Sequence, residues 1–126
     1  MRLLLDSSFV IDYLRGDSTA AARFARLFED GDEPLVNEII VCEVRAGLTV
    51  SALPAFEALL RPTEFIQPGP QTAMQAGEWR ADLRRRGRVL SLADALIAAA
   101  AATSDATILT RNVRDFSLTP VPVERY

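Results

Sequence analysis

Residues 2–8, RLLLDSS, contain a short apolar run that ends on one carboxylate and two hydroxyls. An apolar run this short, followed by polar residues, is typical of a buried strand that leads into the N-terminus of a helix. In parallel α/β sheets, ligands bind at the carboxyl ends of the strands. Asp6 is therefore the first candidate site residue. Taken alone, a carboxylate that only begins a helix is an equally good interpretation of this position.

The chain has 126 residues, enough for one domain (1–126) that buries roughly two thirds of its unfolded surface. The N-terminal apolar run is too brief for a signal peptide, and no apolar run approaches the roughly 20 residues of a membrane span. Cys42 is the single cysteine, so a disulfide framework and a thiolate metal cluster are excluded, and we expect this residue to be buried. These features favour a cytoplasmic protein without a membrane segment.

Two residue types are missing, and their absence narrows the chemistry. Without His, imidazole acid–base catalysis, Ser-His-Asp triads and His-ligated zinc are excluded. All 14 basic residues are Arg, which excludes a P-loop lysine, a Schiff base and Ser-Lys catalysis. Catalysis would rest on carboxylates, hydroxyls, Arg or a bound metal. The net charge of −3 argues against a generally basic nucleic-acid surface but is compatible with an acidic pocket filled by divalent cations.

Strand-like and helix-like segments alternate along the chain. After the first strand, further strands are expected at 35–36, 64–67 and 107–110. Helices are expected after an N-cap at Ser7 or Ser8 to residue 14, after residue 18, over 39–50, over 51–60, up to residue 86 with Gly87 as its C-cap, and over 91–102. This alternation predicts an α/β fold with a central, mainly parallel four-stranded sheet flanked by helices, and residues 120–123 are a candidate short fifth strand.

Three further carboxylates are candidate partners of Asp6. Glu43 lies in an otherwise apolar helix, where an unpaired buried carboxylate is costly, so a functional role is favoured slightly. Asp94 follows Ser91 at the spacing of a capping box, and a structural role at the helix start is favoured there. Asp115 lies in a loop, where acids are usually only solvated. Because a parallel sheet brings strand ends and helix starts to one edge, we expect these carboxylates to converge.

Four short motifs, in order along the chain, resemble those of the PIN-domain ribonucleases. They are DSS at 6–8 with LRGD at 14–17, EVRAGL at 43–48, DALIAA at 94–99, and TRN at 110–112 with DF at 115–116. The sequence is most similar to VapC-type toxins of bacterial toxin–antitoxin pairs, over nearly the whole chain. No single motif is specific, but four in order at the family's spacing make the resemblance strong.

The resemblance implies a PIN-like fold with an acidic pocket at the carboxyl edge of the sheet, which holds Mg²⁺ or Mn²⁺. Asp6, Glu43 and Asp94 match the acidic core of the family. The fourth position stays open, because Asn112 stands where many relatives have Asp, and Asp115 is the nearest carboxylate. Either residue would contact the metal, directly or through water. The supporting residues implied for binding water or phosphate are Ser8, Thr110 and Arg111.

The implied function is that of a metal-dependent endoribonuclease toxin, in which a metal-activated water attacks an RNA phosphodiester bond in line. Oxygen ligands suit Mg²⁺ or Mn²⁺ and do not form a zinc site. The resemblance also implies a symmetric homodimer and a VapB-like protein antitoxin that inhibits the toxin in a hetero-oligomer. The alternative is a catalytically degenerate PIN domain that binds RNA or a protein, since Asn112 stands at an acidic position.

One basic run, RRRGR at residues 84–88, is present in an otherwise acidic chain. Cations at the C-terminus of a helix interact favourably with the helix dipole, and Arg also suits bidentate phosphate binding. The two interpretations have equal weight. The candidates for RNA contact are Arg84, Arg85, Arg86 and Arg88.

Overall fold

The computed structural model describes all 126 residues of the protein. Its strands are β1 (Arg2–Leu5), β2 (Glu33–Val36), β3 (Glu64–Phe65), β4 (Thr107–Leu109) and β5 (Val123–Glu124). They form one sheet in the order β3-β2-β1-β4-β5, and every neighbouring pair is parallel. The predicted α/β fold with a parallel sheet is therefore confirmed, and the extended piece near residue 123 does form a fifth strand.

Seven helices flank the sheet. They are α1 (Ser7–Leu14), α2 (Ser18–Glu29), α3 (Glu38–Gly47), α4 (Leu53–Leu60), α5 (Pro70–Arg85), α6 (Leu92–Thr103) and α7 (Val113–Phe116), with a 3₁₀ turn at Val50–Ala52. The predicted helix over 39–50 ends early, at Gly47. In α7 the structure has one turn of helix where the sequence predicts a loop, because four residues are too few to show a helical period. None of the helices has the length and apolar character needed to cross a bilayer.

The position of β1 in the middle of the sheet follows from its composition. Leu3, Leu4 and Leu5 have no exposed surface, and β1 pairs with β2 on one side and β4 on the other. A central parallel strand covered by helices on both faces is apolar at every position rather than at alternate ones. The three consecutive leucines therefore place this strand at the centre of the core.

The helices contribute the rest of the core, α3 through one face and α6 nearly all the way round. In α6, the four residues Ala98, Ala99, Ala100 and Ala101 are fully buried, and α6 packs along α5. In α3, Ile40 and Val44 are buried while Cys42 is exposed. The expectation that Cys42 is buried is therefore wrong, because residues two positions apart on a helix point to nearly opposite sides.

The strand register sets which side chains leave the sheet together. Leu5 pairs with Leu109, and the amide of Asp6 extends this ladder by donating to the Leu109 carbonyl at 3.1 Å. The amide of Thr110 donates in turn to the carbonyl of Glu124 in β5 at 3.1 Å. Asp6 and Thr110 therefore emerge side by side at the carboxyl edge of the sheet.

Candidate active site

Asp6 follows β1 and is only 4% exposed. It occupies the N-cap position of α1, yet its side chain forms no capping hydrogen bond. Instead, Oδ2 accepts hydrogen bonds from Ser8 Oγ at 2.9 Å and from Thr110 Oγ1 at 2.7 Å. Capping therefore does not account for this carboxylate, and neither Ser7 nor Ser8 takes the N-cap position that the sequence predicts for one of them.

The two hydroxyls connect Asp6 to the loop after β4. Ser8 Oγ also accepts a hydrogen bond from the amide of Arg111 at 3.1 Å, and Thr110 Oγ1 accepts one from the amide of Asn112 at 2.8 Å. Both hydroxyls donate to the same oxygen of Asp6, so Oδ1 keeps no hydrogen-bond partner within the chain. The carboxylate is held in a fixed orientation with one oxygen free for an outside ligand.

Asp94 lies half-buried in the first turn of α6. Ser91 caps this helix as predicted, but the bond runs from the backbone amide of Asp94 to Ser91 Oγ at 3.0 Å, so the cap does not use the Asp94 carboxylate. Burial is the largest cause that raises the pKa of Asp94, and the Ser91 hydroxyl opposes it. The negative charges that raise this pKa further are those of Asp6, Asp115 and Glu43. Asp94 therefore lies near enough to each of the other three carboxylates for their charges to act on it.

Glu43 reaches the same edge from α3, and its side chain is exposed. The expectation of a costly buried carboxylate is wrong at this position, because much of the residue remains in water. The part of the carboxylate that faces α1 is desolvated, which raises the pKa of Glu43; the Ser7 hydroxyl lowers it and the charge of Asp6 raises it further. Glu43 thus borders the site rather than lying inside it.

Asn112 and Asp115 lie at the start of α7. Asn112 occupies the N-cap position without a side-chain capping bond, and its backbone is tied to Thr110. Asp115 is half-buried in the first turn, and its charge acts on Asp94. The short helix that the sequence does not predict is therefore what brings Asp115 towards the other carboxylates.

A second buried aspartate beside the site is absent from the sequence-based predictions. Asp12 in α1 is 7% exposed; its oxygens lie 3.0 and 2.9 Å from Arg111 Nη1, and Oδ2 accepts a 2.5 Å hydrogen bond from the Tyr126 hydroxyl. Burial and the contact with Asp12 raise the pKa of Tyr126, so this hydroxyl stays a donor. The signal in the sequence is the i, i+4 spacing from Ser8, which puts Asp12 on the same face of α1.

The arginine run lies at the end of α5 and just before α6. Arg84 and Arg85 lie in the last turn of α5, which fits the helix-dipole interpretation, and Arg85 pairs with Asp82. Arg84, Arg86 and Arg88 are exposed and have no ion-pair partner. Because α6 begins soon after this run, these three cations lie towards the end of α6 that carries Asp94.

The donor atoms at the carboxyl edge fit a hard divalent cation. No three carboxylates lie close enough together to enclose an ion by themselves. Mg²⁺, however, usually keeps several waters and is held by one or two protein carboxylates. The donors here are carboxylate, hydroxyl and amide oxygens without sulfur or imidazole, which suits Mg²⁺ or Mn²⁺ and not zinc. With Oδ1 of Asp6 free, the residues fit an ion bound directly by one or two carboxylates and through water by the rest.

The chain is similar to known proteins over nearly its whole length. The family model described as PIN domain matches residues 3–121. Ribonuclease VapC19 of Mycobacterium tuberculosis is 34% identical over 117 residues, which are 93% of this chain and 94% of that protein.

Two solved structures share the fold over nearly the whole length. VapBC2 from Rickettsia felis, bound to a promoter DNA fragment, has a TM-score of 0.88 at 20% identity and covers 100% of this chain and 99% of that chain. VapBC-1 from nontypeable Haemophilus influenzae has a TM-score of 0.83 at 22% identity and covers 99% of this chain and 98% of that chain. At these identities the likeness concerns the fold alone.

Proposed function

The chain belongs to the PIN-domain family, and from this membership we propose that it is a metal-dependent endoribonuclease that acts as the toxin of a toxin–antitoxin pair. The observation that carries the proposal is Asp6, a buried carboxylate at the carboxyl edge of the sheet whose Oδ2 is held by two hydroxyls and whose Oδ1 has no partner in the chain. The charges of Glu43, Asp94 and Asp115 act at the same edge. The similarity to Ribonuclease VapC19 over almost the full length of both chains supports RNA as the substrate.

Asp6 is the central metal ligand in this proposal. Its Oδ2 is fixed by Ser8 and Thr110, which leaves Oδ1 to face the ion. Asp94 would be the second direct ligand, because it is half-buried and no arginine pairs with it. The exposed Glu43 acts through water. When bound, Mg²⁺ or Mn²⁺ would supply a water of lowered pKa and offset the charge of the scissile phosphate, so no histidine base is required.

Asp115 is the fourth acidic residue in our proposal, in preference to Asn112. The charge of Asp115 acts on Asp94, whereas the Asn112 side chain is neutral and stands next to Thr110. Asn112 can still hold a metal-bound water through its amide oxygen. Arg111 is a positioning residue, since its amide donates to Ser8 Oγ and its guanidinium pairs with the Asp12 carboxylate of α1. The candidates for contact with the RNA backbone are Arg84, Arg85, Arg86 and Arg88.

The proposed partner is a small VapB-like antitoxin. Both solved relatives named above are VapBC complexes, which supports a hetero-oligomer of toxin and antitoxin. A symmetric homodimer of the toxin is part of the same proposal. As an RNA-cleaving toxin, the chain would act in the cytoplasm.

The test is cleavage of total RNA by the purified chain with Mg²⁺ or Mn²⁺, with EDTA as the metal-free condition. Asp6→Asn is expected to lower the cleavage rate at least about 100-fold, because removing one charged group from the site costs on this order. Glu57→Gln is the matched control, since Glu57 is an exposed carboxylate on α4 away from the carboxyl edge. Undiminished cleavage by Asp6→Asn contradicts the proposal. Tight RNA binding without cleavage under any metal condition would favour the degenerate PIN domain.

A further inference from the structure

A second concave surface lies apart from the four carboxylates, between the start of α2 and the residues that follow β5. Its volume is about 480 Å³. Its polar lining consists of three arginines, two aliphatic hydroxyls and a tyrosine: Ser18, Thr19, Arg23, Arg26, Arg125 and Tyr126. We call it the arginine pocket. No carboxylate is among its lining residues.

The buried arginine of this pocket is incompletely satisfied. Arg23 is 6% exposed and pairs with Glu124 through Nε at 2.6 Å and Nη2 at 3.3 Å. Its third nitrogen, Nη1, is buried and has no hydrogen-bond partner. A guanidinium always keeps its charge and five donors, so an unpaired buried nitrogen is costly. Arg23 lines the pocket, so an anion bound there would lie against a guanidinium that the chain pairs only in part.

The remaining charges of the arginine pocket are almost uncompensated. Arg125 is exposed and forms no ion pair. Arg26 has only a 3.9 Å contact with Asp30, and both side chains are more than half exposed, so the pair contributes little. Among the three lining arginines only Arg23 has a close carboxylate partner, and the side chains that line the pocket carry positive charge without a carboxylate among them.

The start of α2 adds donors to the same pocket. Asp17 caps this helix by accepting from the amide of Ala20 at 2.8 Å. The amides of Ser18 and Thr19 belong to the first turn, where no intrahelical acceptor exists, and the helix dipole is positive at this end. Together with the hydroxyls of the same two residues, these amides provide the donor pattern that binds phosphate at helix N-termini.

We propose that the arginine pocket binds a phosphate group, and that its source is a backbone phosphate of the RNA outside the scissile bond. The choice of RNA rests on the proposed function. Arg125 follows β5 directly, and the β4–β5 register places it beside Thr110 at the carboxyl edge. Tyr126 lines the pocket and also binds Asp12, which holds Arg111. A single strand of RNA that lies across Asp6 and its neighbouring carboxylates can therefore reach the arginine pocket.

The test is equilibrium binding of a short fluorescein-labelled single-stranded RNA to the full chain in EDTA, measured by anisotropy at several salt concentrations. Arg125→Gln is expected to weaken binding about tenfold, the loss of one charge-assisted contact. It should also lower the slope of log K against log salt by about 0.7, the value for one phosphate contact on a single strand.

The matched control is Arg61→Gln. Arg61 is an exposed, unpaired arginine at the end of α4, at the opposite edge of the sheet from the carboxylates. Its substitution should leave both the affinity and the slope at the wild-type values. Equal affinity and slope in Arg125→Gln and Arg61→Gln would overturn the proposal.

A second measurement separates the two sources of phosphate. Inorganic phosphate alone is added while thermal unfolding is followed for the wild type and for Arg125→Gln. If phosphate stabilises only the wild type while RNA affinity is the same in both proteins, the pocket binds a free anion and the RNA assignment is wrong. Because binding is measured without metal, loss of cleavage in Asp6→Asn and loss of affinity in Arg125→Gln are independent results. Failure of one proposal can therefore be told from failure of the other.

Discussion

Two aspartates near the start of the chain are almost equally buried but are held in opposite ways. Asp6, at the carboxyl edge of the sheet, is 4% exposed, and Asp12, on the inner face of α1, is 7% exposed. Asp12 lies against the guanidinium of Arg111 and the hydroxyl of Tyr126. Asp6 contacts only neutral hydroxyls and has no cation beside it.

The difference shows which buried charge the chain neutralises by itself. Burial of a carboxylate is costly unless it is paired or bound to a metal. Asp12 is paired within the protein, so its charge contributes to stability. Asp6 has no cation beside it and keeps one oxygen without a partner in the chain, so its charge is compensated only when a cation binds from outside. Burial alone therefore does not distinguish a structural carboxylate from a metal ligand, whereas the charge of its neighbours does.

The largest expected effect is the contrast between activity and stability in Asp6→Asn. The rate of RNA cleavage should fall at least about 100-fold. The free energy of unfolding should not fall, because asparagine keeps the shape of the side chain and removes an unpaired charge. Cleavage assays and urea denaturation measure the two quantities on the same preparation. A loss of stability as large as that of Asp12→Asn would remove the distinction between the two aspartates.

The next effect concerns the hydroxyls that orient Asp6. Thr110→Val keeps the size of the side chain and removes one donor to Asp6 Oδ2, so the affinity for Mn²⁺ should fall about tenfold or more. Isothermal titration with Mn²⁺ measures it directly. Thr107→Val, at the start of β4, is the matched control, because the Thr107 hydroxyl forms no hydrogen bond within the chain. Equal affinities in the two variants would mean that the hydroxyl of Thr110 does not orient the ligand.

Asp12→Asn should lower the stability of the fold more than the rate of cleavage, the opposite of Asp6→Asn. It leaves Arg111 without its carboxylate, and the free energy of unfolding should fall by about 1–3 kcal/mol, less than for a fully buried pair because Arg111 is more than half exposed. Cleavage should fall less than in Asp6→Asn, since Asp12 acts only through Arg111. Urea denaturation with and without Mn²⁺ checks this: added metal should still stabilise Asp12→Asn but not Asp6→Asn. If added metal stabilised Asp6→Asn but not Asp12→Asn, the proposed roles of the two aspartates would be wrong.

The smallest effect is that of Tyr126→Phe, which removes one hydrogen bond to Asp12 and should cost about 1 kcal/mol. Tyr13→Phe is its control, because the Tyr13 ring packs against Phe24 and its hydroxyl forms no hydrogen bond within the chain. Chemical denaturation of the two variants side by side gives the difference. If both lose the same stability, the Tyr126 hydroxyl adds nothing to the pairing of Asp12.

The sequence predicts those parts of the fold that short-range patterns control. Three consecutive leucines predict the central strand, and Ser91 predicts the start of α6, where the capping bond is found. The end of α3 at Gly47 and the single turn of α7 were harder to predict, because helix ends and very short helices leave almost no periodic signal. Cys42 shows that the apolar character of a residue does not tell which side of its helix it occupies.

The candidate site also contains residues that the sequence predicts and contacts that it does not. The order of the motifs identifies Asp6 and Asp94 as candidate site residues, and the structure places them near each other. The pairing of Asp12 with Arg111 and Tyr126 joins residues 99 and 114 positions apart. No local spacing indicates such contacts, because they depend on the register of β4 against β1 and of β5 against β4. The electrostatic difference between the two aspartates therefore becomes visible only in three dimensions.

The register of β1 and β4 also has a consequence for the order of events during synthesis. Asp6 and Thr110 are 104 positions apart, and the hydrogen bond between them forms only after β4 has paired with β1. A ribosome-bound chain that already includes Asp6, Glu43 and Asp94 still lacks this hydroxyl and the Asp115 of α7. The proposed site is therefore complete only after β4 and α7 have been made and β4 has paired with β1.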